Sequence, residues 1–140
     1  MSAAEPLFDF AITDVPRTIQ TKRAKTRAGW KESVRTALAV RLQANPFAPC
    51  GPCSVNIVYF YRELSEIDVD NIAKLIIDSM VGPALIDDSL VEQVIARKTD
   101  QTQTAGIQDM ADVMRPLFGS VPDFVYVAIR DRPDHGRLPE

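Results

Sequence analysis

The sequence predicts one domain in which four strands alternate with three helices, in the order β-α-β-α-β-α-β. Three observations carry that expectation. The apolar fraction of 46% and charged fraction of 25% over 140 residues are those of an ordinary globular chain, with enough apolar material for one core. The hydrophobic period switches repeatedly between two residues and three to four. Proline and glycine cluster between the periodic segments, at 46–52, at Gly82-Pro83 and at Gly119. There is no internal repeat and no low-complexity block. The order alone leaves open whether the strands run parallel, antiparallel or both.

Each element has its own justification. Phe8 to Thr13 alternates Phe8, Phe10 and Ile12 with other residues and reads as a strand, ended by Pro16. Arg17 to Thr26 is polar and basic without an apolar period, so it reads as a loop or arm. Ala28 to Leu42 repeats Trp30, Val34, Leu38 and Leu42 every fourth position, which is an amphipathic helix. Ser54 to Tyr61 is rich in β-branched and aromatic residues on both faces, as expected of a central strand. Asp70 to Val81 is the clearest helix, and Gly82-Pro83 stops it. Leu90 to Lys98 alternates as a third strand, Ile107 to Phe118 reads as a third helix ended by Gly119, and Phe124 to Ile129 is a last strand. Residues 1–131 thus form a single domain. Residues 132–140, mostly polar with two prolines and a glycine, read as a disordered tail.

Composition excludes several classes of function. No stretch approaches the roughly 20 apolar residues of a membrane helix, and no secretory signal is visible. The expectation is a cytoplasmic protein in a reducing compartment. Two cysteines and one remote histidine, His135, do not assemble the usual four-ligand zinc site in one chain. A Ser-His-Asp or Cys-His mechanism would depend on that same histidine in the tail. The formal net charge of −3 argues at face value against a nucleic-acid binder. Its distribution says more. Val15 to Arg41 carries eight basic residues and one acid, whereas Glu63 to Glu92 carries eight acids and one base. A basic arm precedes an acidic centre.

The acidic centre is Asp68-Val69-Asp70-Asn71, then Lys74, Asp78 and Asp87-Asp88. At about 100° per residue, Asp70, Lys74 and Asp78 fall within roughly 80° of one another, opposite Ile72, Ala73, Ile76, Ile77 and Met80. If the following strand runs back past the helix, Asp87-Asp88 can approach the first pair. Converging carboxylates repel unless a proton, a cationic side chain or a metal ion stabilises them. Hard divalent cations such as Mg2+ take such oxygen ligands, polarise phosphoryl oxygens and generate a hydroxide nucleophile. Lys74 could neutralise charge developing on a phosphate. Each residue also has an ordinary structural reading: a helix N-cap for Asp68 or Asp70, i,i+4 pairs through Lys74, and turn residues for Asp87-Asp88.

Taken together, Asp68-Val-Asp70-Asn71, Lys74, Asp78 and Asp87-Asp88 with Val91 resemble the signature of the RusA-type Holliday junction resolvases, small endodeoxyribonucleases of bacteria and phages. The resemblance implies an α+β fold with a mixed four-stranded sheet flanked by helices, a homodimer, and a single nuclease domain. It implies Mg2+-dependent, paired symmetric cleavage of four-way DNA in recombination and repair, with Mn2+ as a substitute metal. It assigns Asp68, Asp70 and Asp88 as metal ligands, with Asp87 beside them as a further candidate ligand and Asp78 nearby, and Lys74 an electrostatic role. Asp68, Asp70, Lys74 and Asp88 would be catalytic. The basic residues Arg17, Lys22, Arg23, Lys25, Arg27 and Lys31 could grip DNA phosphates or simply form a solvated face. The alternative is a non-catalytic DNA-binding or phage accessory protein that keeps the fold.

Cys50-Gly51-Pro52-Cys53 matches the thioredoxin redox tetrapeptide. That chemistry needs the first cysteine exposed at a helix N-terminus after a strand. Here the motif precedes a strand, which favours a turn with two incidental thiols; a regulatory disulfide, or half a metal site shared across a dimer, stays open.

Overall fold

The computed structural model describes residues 5–14, 24–62, 67–103 and 111–139, with side chains of the first helix from residue 28 onward. It is an α+β arrangement. Strand β1 spans Phe8–Ile12, β2 Cys53–Tyr61, β3 Val91–Asp100 and β4 Phe124–Arg130. Helix α1 spans Ala24–Ala44 and α2 Val69–Met80. The strands form one mixed sheet in the order β1-β4-β2-β3. β4 pairs antiparallel with β1 and β2, while β2 and β3 run parallel. β2 is internal, as its two apolar faces require.

Strand alternation divides the apolar residues between two faces. Phe8, Phe10 and Ile12 of β1, Val55, Ile57 and Tyr59 of β2, and Val125, Val127 and Ile129 of β4 form one core with both helices. α1 contributes Trp30, Val34 and Leu38, and α2 contributes Ile72, Ile76 and Met80. The four-residue repeat of α1 and the 3.6-residue period of α2 therefore point to the same side of the sheet. On the other face, Phe60, Phe124, Tyr126 and Ala128 meet Met114 and its neighbours. Phe60, Phe118 and Phe124 form an aromatic triad with ring centroids 4.9 to 5.2 Å apart.

Two buried carboxylates brace the sheet. Asp9 accepts from the Tyr126 hydroxyl at 2.8 Å and from Arg41 Nη2 at 3.1 Å. Burial, reinforced by Asp9, pushes the Tyr126 phenol above its ordinary pKa. Asp123 accepts from the Tyr59 hydroxyl at 2.9 Å and from the Arg62 backbone N–H at 3.3 Å. Buried polar groups are costly unless paired in this way.

Two expectations need correction. α1 begins at Ala24, inside the segment read as a loop, because charged residues such as Lys25 and Arg27 are adequate helix formers without any apolar period. The helix expected over 107–118 is not found where the chain is described: 111–121 consists of turns around a one-turn 3-10 helix, Arg115–Leu117. Pro116 lacks an N–H and disfavours the α conformation at Arg115, and the turns let Met114 and Phe118 reach the sheet. Beyond β4, the chain meets the start of β2 and β3. The Ser54 hydroxyl donates to the Asp131 carbonyl at 2.8 Å, Arg132 Nε donates to Glu92 at 2.9 Å, and His135 Nε2 lies 2.7 Å from Glu92. Arg132 first, then His135, hold the Glu92 carboxyl below its ordinary pKa.

Candidate active site

The end of α2 that carries its N-terminus gathers the first half of the acidic constellation. Asp68 is the N-cap residue, in extended backbone geometry with φ −69° and ψ 136°. Its carbonyl accepts from the Ile72 N–H at 3.2 Å, opening the helix, but its side chain makes no capping bond. Asp70 lies in the first turn. Asp70, Asn71 and Lys74 are exposed and Asp78 is half-buried, while Ile72, Ala73, Ile76 and Met80 face the core. No ion pair joins Lys74 to Asp70 or Asp78 among the described residues. Two of the ordinary structural readings are therefore not realised: Asp68 does not cap with its side chain, and Lys74 is not held in i,i+4 pairs.

Asp87 behaves differently. Its carboxylate accepts from the backbone N–H and the hydroxyl of Ser89, at the start of the 3-10 turn Asp88–Leu90. The Ser89 hydroxyl, more than any other contact, draws the Asp87 carboxyl below its ordinary pKa. For Asp87 the turn reading holds, and it leaves exposed Asp88 as the second acid at this end.

The loop before β2 positions that second pair. The Cys50 N–H donates to the Ala84 carbonyl at 2.9 Å and the Ile86 N–H donates to the Cys50 carbonyl at 3.0 Å. Gly82, at φ +102°, makes the reversal that an L side chain would strain. Cys53 is buried at the start of β2, and burial, then Cys50, pushes its thiol up to about 11. That shift keeps Cys53 a neutral thiol, and neutral thiols are poor nucleophiles. The tetrapeptide acts here as a strap on the turn that leads to Asp87-Asp88.

The two pairs do not converge within one chain. β3 runs parallel to β2, so it starts beside Cys53 and ends beside Tyr61. Asp87-Asp88 precede its start, whereas Ile67 and Asp68 lie at its far end, where Lys98 Nζ donates to the Ile67 carbonyl at 3.1 Å. The 12 residues of α2 alone span about 18 Å. The expectation that Asp87-Asp88 approach Asp68 and Asp70 thus fails inside a single protomer. Consistently, among the described residues no group of three or more acidic, histidine or cysteine side chains is placed to hold a metal ion. The pair Asp68 and Asp70 still offers hard oxygen donors with no competing side-chain bond among the described residues, and Mg2+ is commonly held by one or two carboxylates with water and substrate phosphate.

Of the basic residues expected to meet DNA, Arg17, Lys22 and Arg23 lie outside the described residues, as do the side chains of Lys25 and Arg27. Lys31 is half-buried on α1. Lys98 was not singled out by sequence reasoning. The available signal was a lysine in phase with Val94 and Ala96 on a strand that otherwise reads as ordinary alternation.

A search of curated proteins finds no match. A family model described as Endodeoxyribonuclease RusA matches residues 11–108, more than half of the chain. The matched span contains Asp68, Asp70, Lys74, Asp78, Asp87 and Asp88, and every strand except most of β1 and all of β4. No helix among the described residues is long and apolar enough to cross a membrane. The chain belongs to the RusA endodeoxyribonuclease family.

Proposed function

We propose that the protein is a divalent-metal-dependent endodeoxyribonuclease that resolves four-way DNA junctions as a homodimer, by paired, symmetric phosphodiester hydrolysis. The observation that carries this reading is the exposed Asp68, Asp70 and Lys74 at the entry to α2, free of the capping bond and ion pairs that would explain them structurally, inside the span matched by the family.

Asp68 and Asp70 are the residues that would hold Mg2+, with Mn2+ as a substitute. When bound, such an ion supplies Lewis-acid activation of a phosphoryl oxygen and a hydroxide nucleophile near neutral pH. Lys74 sits one helical turn beyond Asp70 and stays exposed, so its ammonium is available to charge that develops on the scissile phosphate. Asp78, half-buried a further turn along, lies on the flank of the same face.

Asp88 belongs to the same chemistry through a second copy. One chain separates Asp88 from Asp70 by the length of α2, so Asp88 of the partner subunit completes the carboxylate set in a two-fold dimer. Two such sites per dimer match the two opposed strands of a four-way junction. The basic stretch from Arg17 to Lys31 supplies the sequence-independent attraction to phosphates that an acidic centre lacks.

The test is incubation of the protein with a mobile four-way junction and Mg2+, with Asp70→Asn in parallel. Symmetric nicks that vanish in the variant support the reading. Junction binding without cleavage in both Mg2+ and Mn2+ favours a non-catalytic accessory protein that retains the fold.

A further inference from the structure

We propose that Lys98 is a positioning residue for the Asp68 and Asp70 carboxylates, an inference that rests on the nuclease reading and concerns the same site. Lys98 lies opposite Tyr59 in the parallel register of β2 and β3. It shares a side of β3 with Ala96, which faces the core beneath the helices. A half-buried lysine in that place can lay its stem on apolar surface while its ammonium reaches the rim of the sheet. There its Nζ donates to the Ile67 carbonyl oxygen at 3.1 Å.

Ile67 immediately precedes Asp68, so this charged hydrogen bond ties the end of β3 to the peptide from which Asp68 projects. The orientation of that peptide plane sets the backbone angle at Asp68 and with it the direction of its carboxylate. The Asp68 carbonyl in turn accepts the first hydrogen bond of α2. Lys98 therefore holds the α2 entry against the sheet at the point where both candidate ligands begin. Charge-assisted bonds of this type are stronger than neutral ones. Residues that orient ligands without touching the metal commonly matter to affinity as well.

Positioning and plain electrostatics make opposite predictions. A lysine acting only through space repels a cation, so its removal would tighten metal binding. A lysine that aligns the carboxylates makes its removal weaken binding. The experiment compares the full-length protein with Lys98→Met and Lys98→Arg. It reads Mn2+ binding by electron paramagnetic resonance, junction cleavage, junction binding and the thermal midpoint. Lys98→Met is expected to weaken Mn2+ binding and slow cleavage by about tenfold, with thermal midpoint and junction binding retained, and Lys98→Arg to restore most of both. Unchanged or tighter Mn2+ binding in Lys98→Met overturns the proposal while leaving the nuclease reading intact. Loss of fold and junction binding together assigns Lys98 a merely structural role and also overturns it. A parent protein that neither binds Mn2+ nor cuts the junction overturns the nuclease reading, and this inference with it.

Discussion

Asp68 and Asp87 hold similar places, each just ahead of a helical turn, and use their carboxylates differently. Asp87 accepts from Ser89, while Asp68 makes no capping bond. Ser89 offers Asp87 a hydroxyl as well as a backbone N–H. The residue two positions beyond Asp68 is instead a second acid, Asp70, which as a carboxylate has no side-chain proton to donate. The entry to α2 therefore presents two exposed carboxylates, Asp68 and Asp70, with no side-chain capping bond at Asp68. Lys74 is likewise exposed and without an ion pair among the described residues. Truncating it removes charge stabilisation and little else. Lys74→Ala is expected to slow junction cleavage by on the order of a hundredfold with unchanged junction binding and an unchanged thermal midpoint. A purely structural lysine would show the reverse pattern.

Among the elements, the loop before β2 illustrates how a motif changes meaning with its place. Cys50 straps the turn after α2, and Cys53 starts a strand with its thiol pushed up to about 11. The raised value keeps Cys53 neutral until the pH climbs towards that figure. Thiol reagents at about pH 8 should therefore leave Cys53 unmodified in the native protein and modify it on unfolding; rapid native labelling of Cys53 would contradict the burial argument. β2 and α2 were legible in the sequence because period and burial agree over their whole length. The 111–121 segment was not, since Met114 and Phe118 suggest a helical stripe but serve separate turns against Phe60 and Phe124. Pro116 was the overlooked signal. The exposed face shared by Asp70 and Lys74, on which the candidate site is built, was legible too. Their distribution in space was not: an order of elements carries no strand direction, and the parallel pairing of β2 with β3 is what sends Asp88 to the far end.

For the molecule as a whole, that separation bears directly on the proposed dimer. If the site is shared between two copies, mixing Asp70→Asn protein with Asp88→Asn protein should recover nicking, because a mixed dimer contains one intact site. Recovery absent after subunit exchange would confine each site to one chain. The charge distribution belongs to the same scale. The basic arm and the acidic centre carry equal and opposite charge and cancel, so the net charge of −3 comes from the rest of the chain and conceals both. Neutralising Lys22, Arg23 and Lys25 together should weaken junction binding and flatten its dependence on salt, by up to about one unit of slope for each phosphate no longer neutralised. An unchanged slope would show that the arm is a solvated face.

The carboxylates at the entry to α2 are what would make this fold a junction-cutting enzyme. Cleavage of a mobile four-way junction in Mg2+, by the parent protein and by Asp70→Asn with junction binding followed in both, puts that role to the test without intermediaries. Symmetric nicks are expected from the parent and none from the variant, with binding retained by each. Cleavage that survives in Asp70→Asn, or a parent that binds the junction and leaves it uncut in both Mg2+ and Mn2+, would refute it.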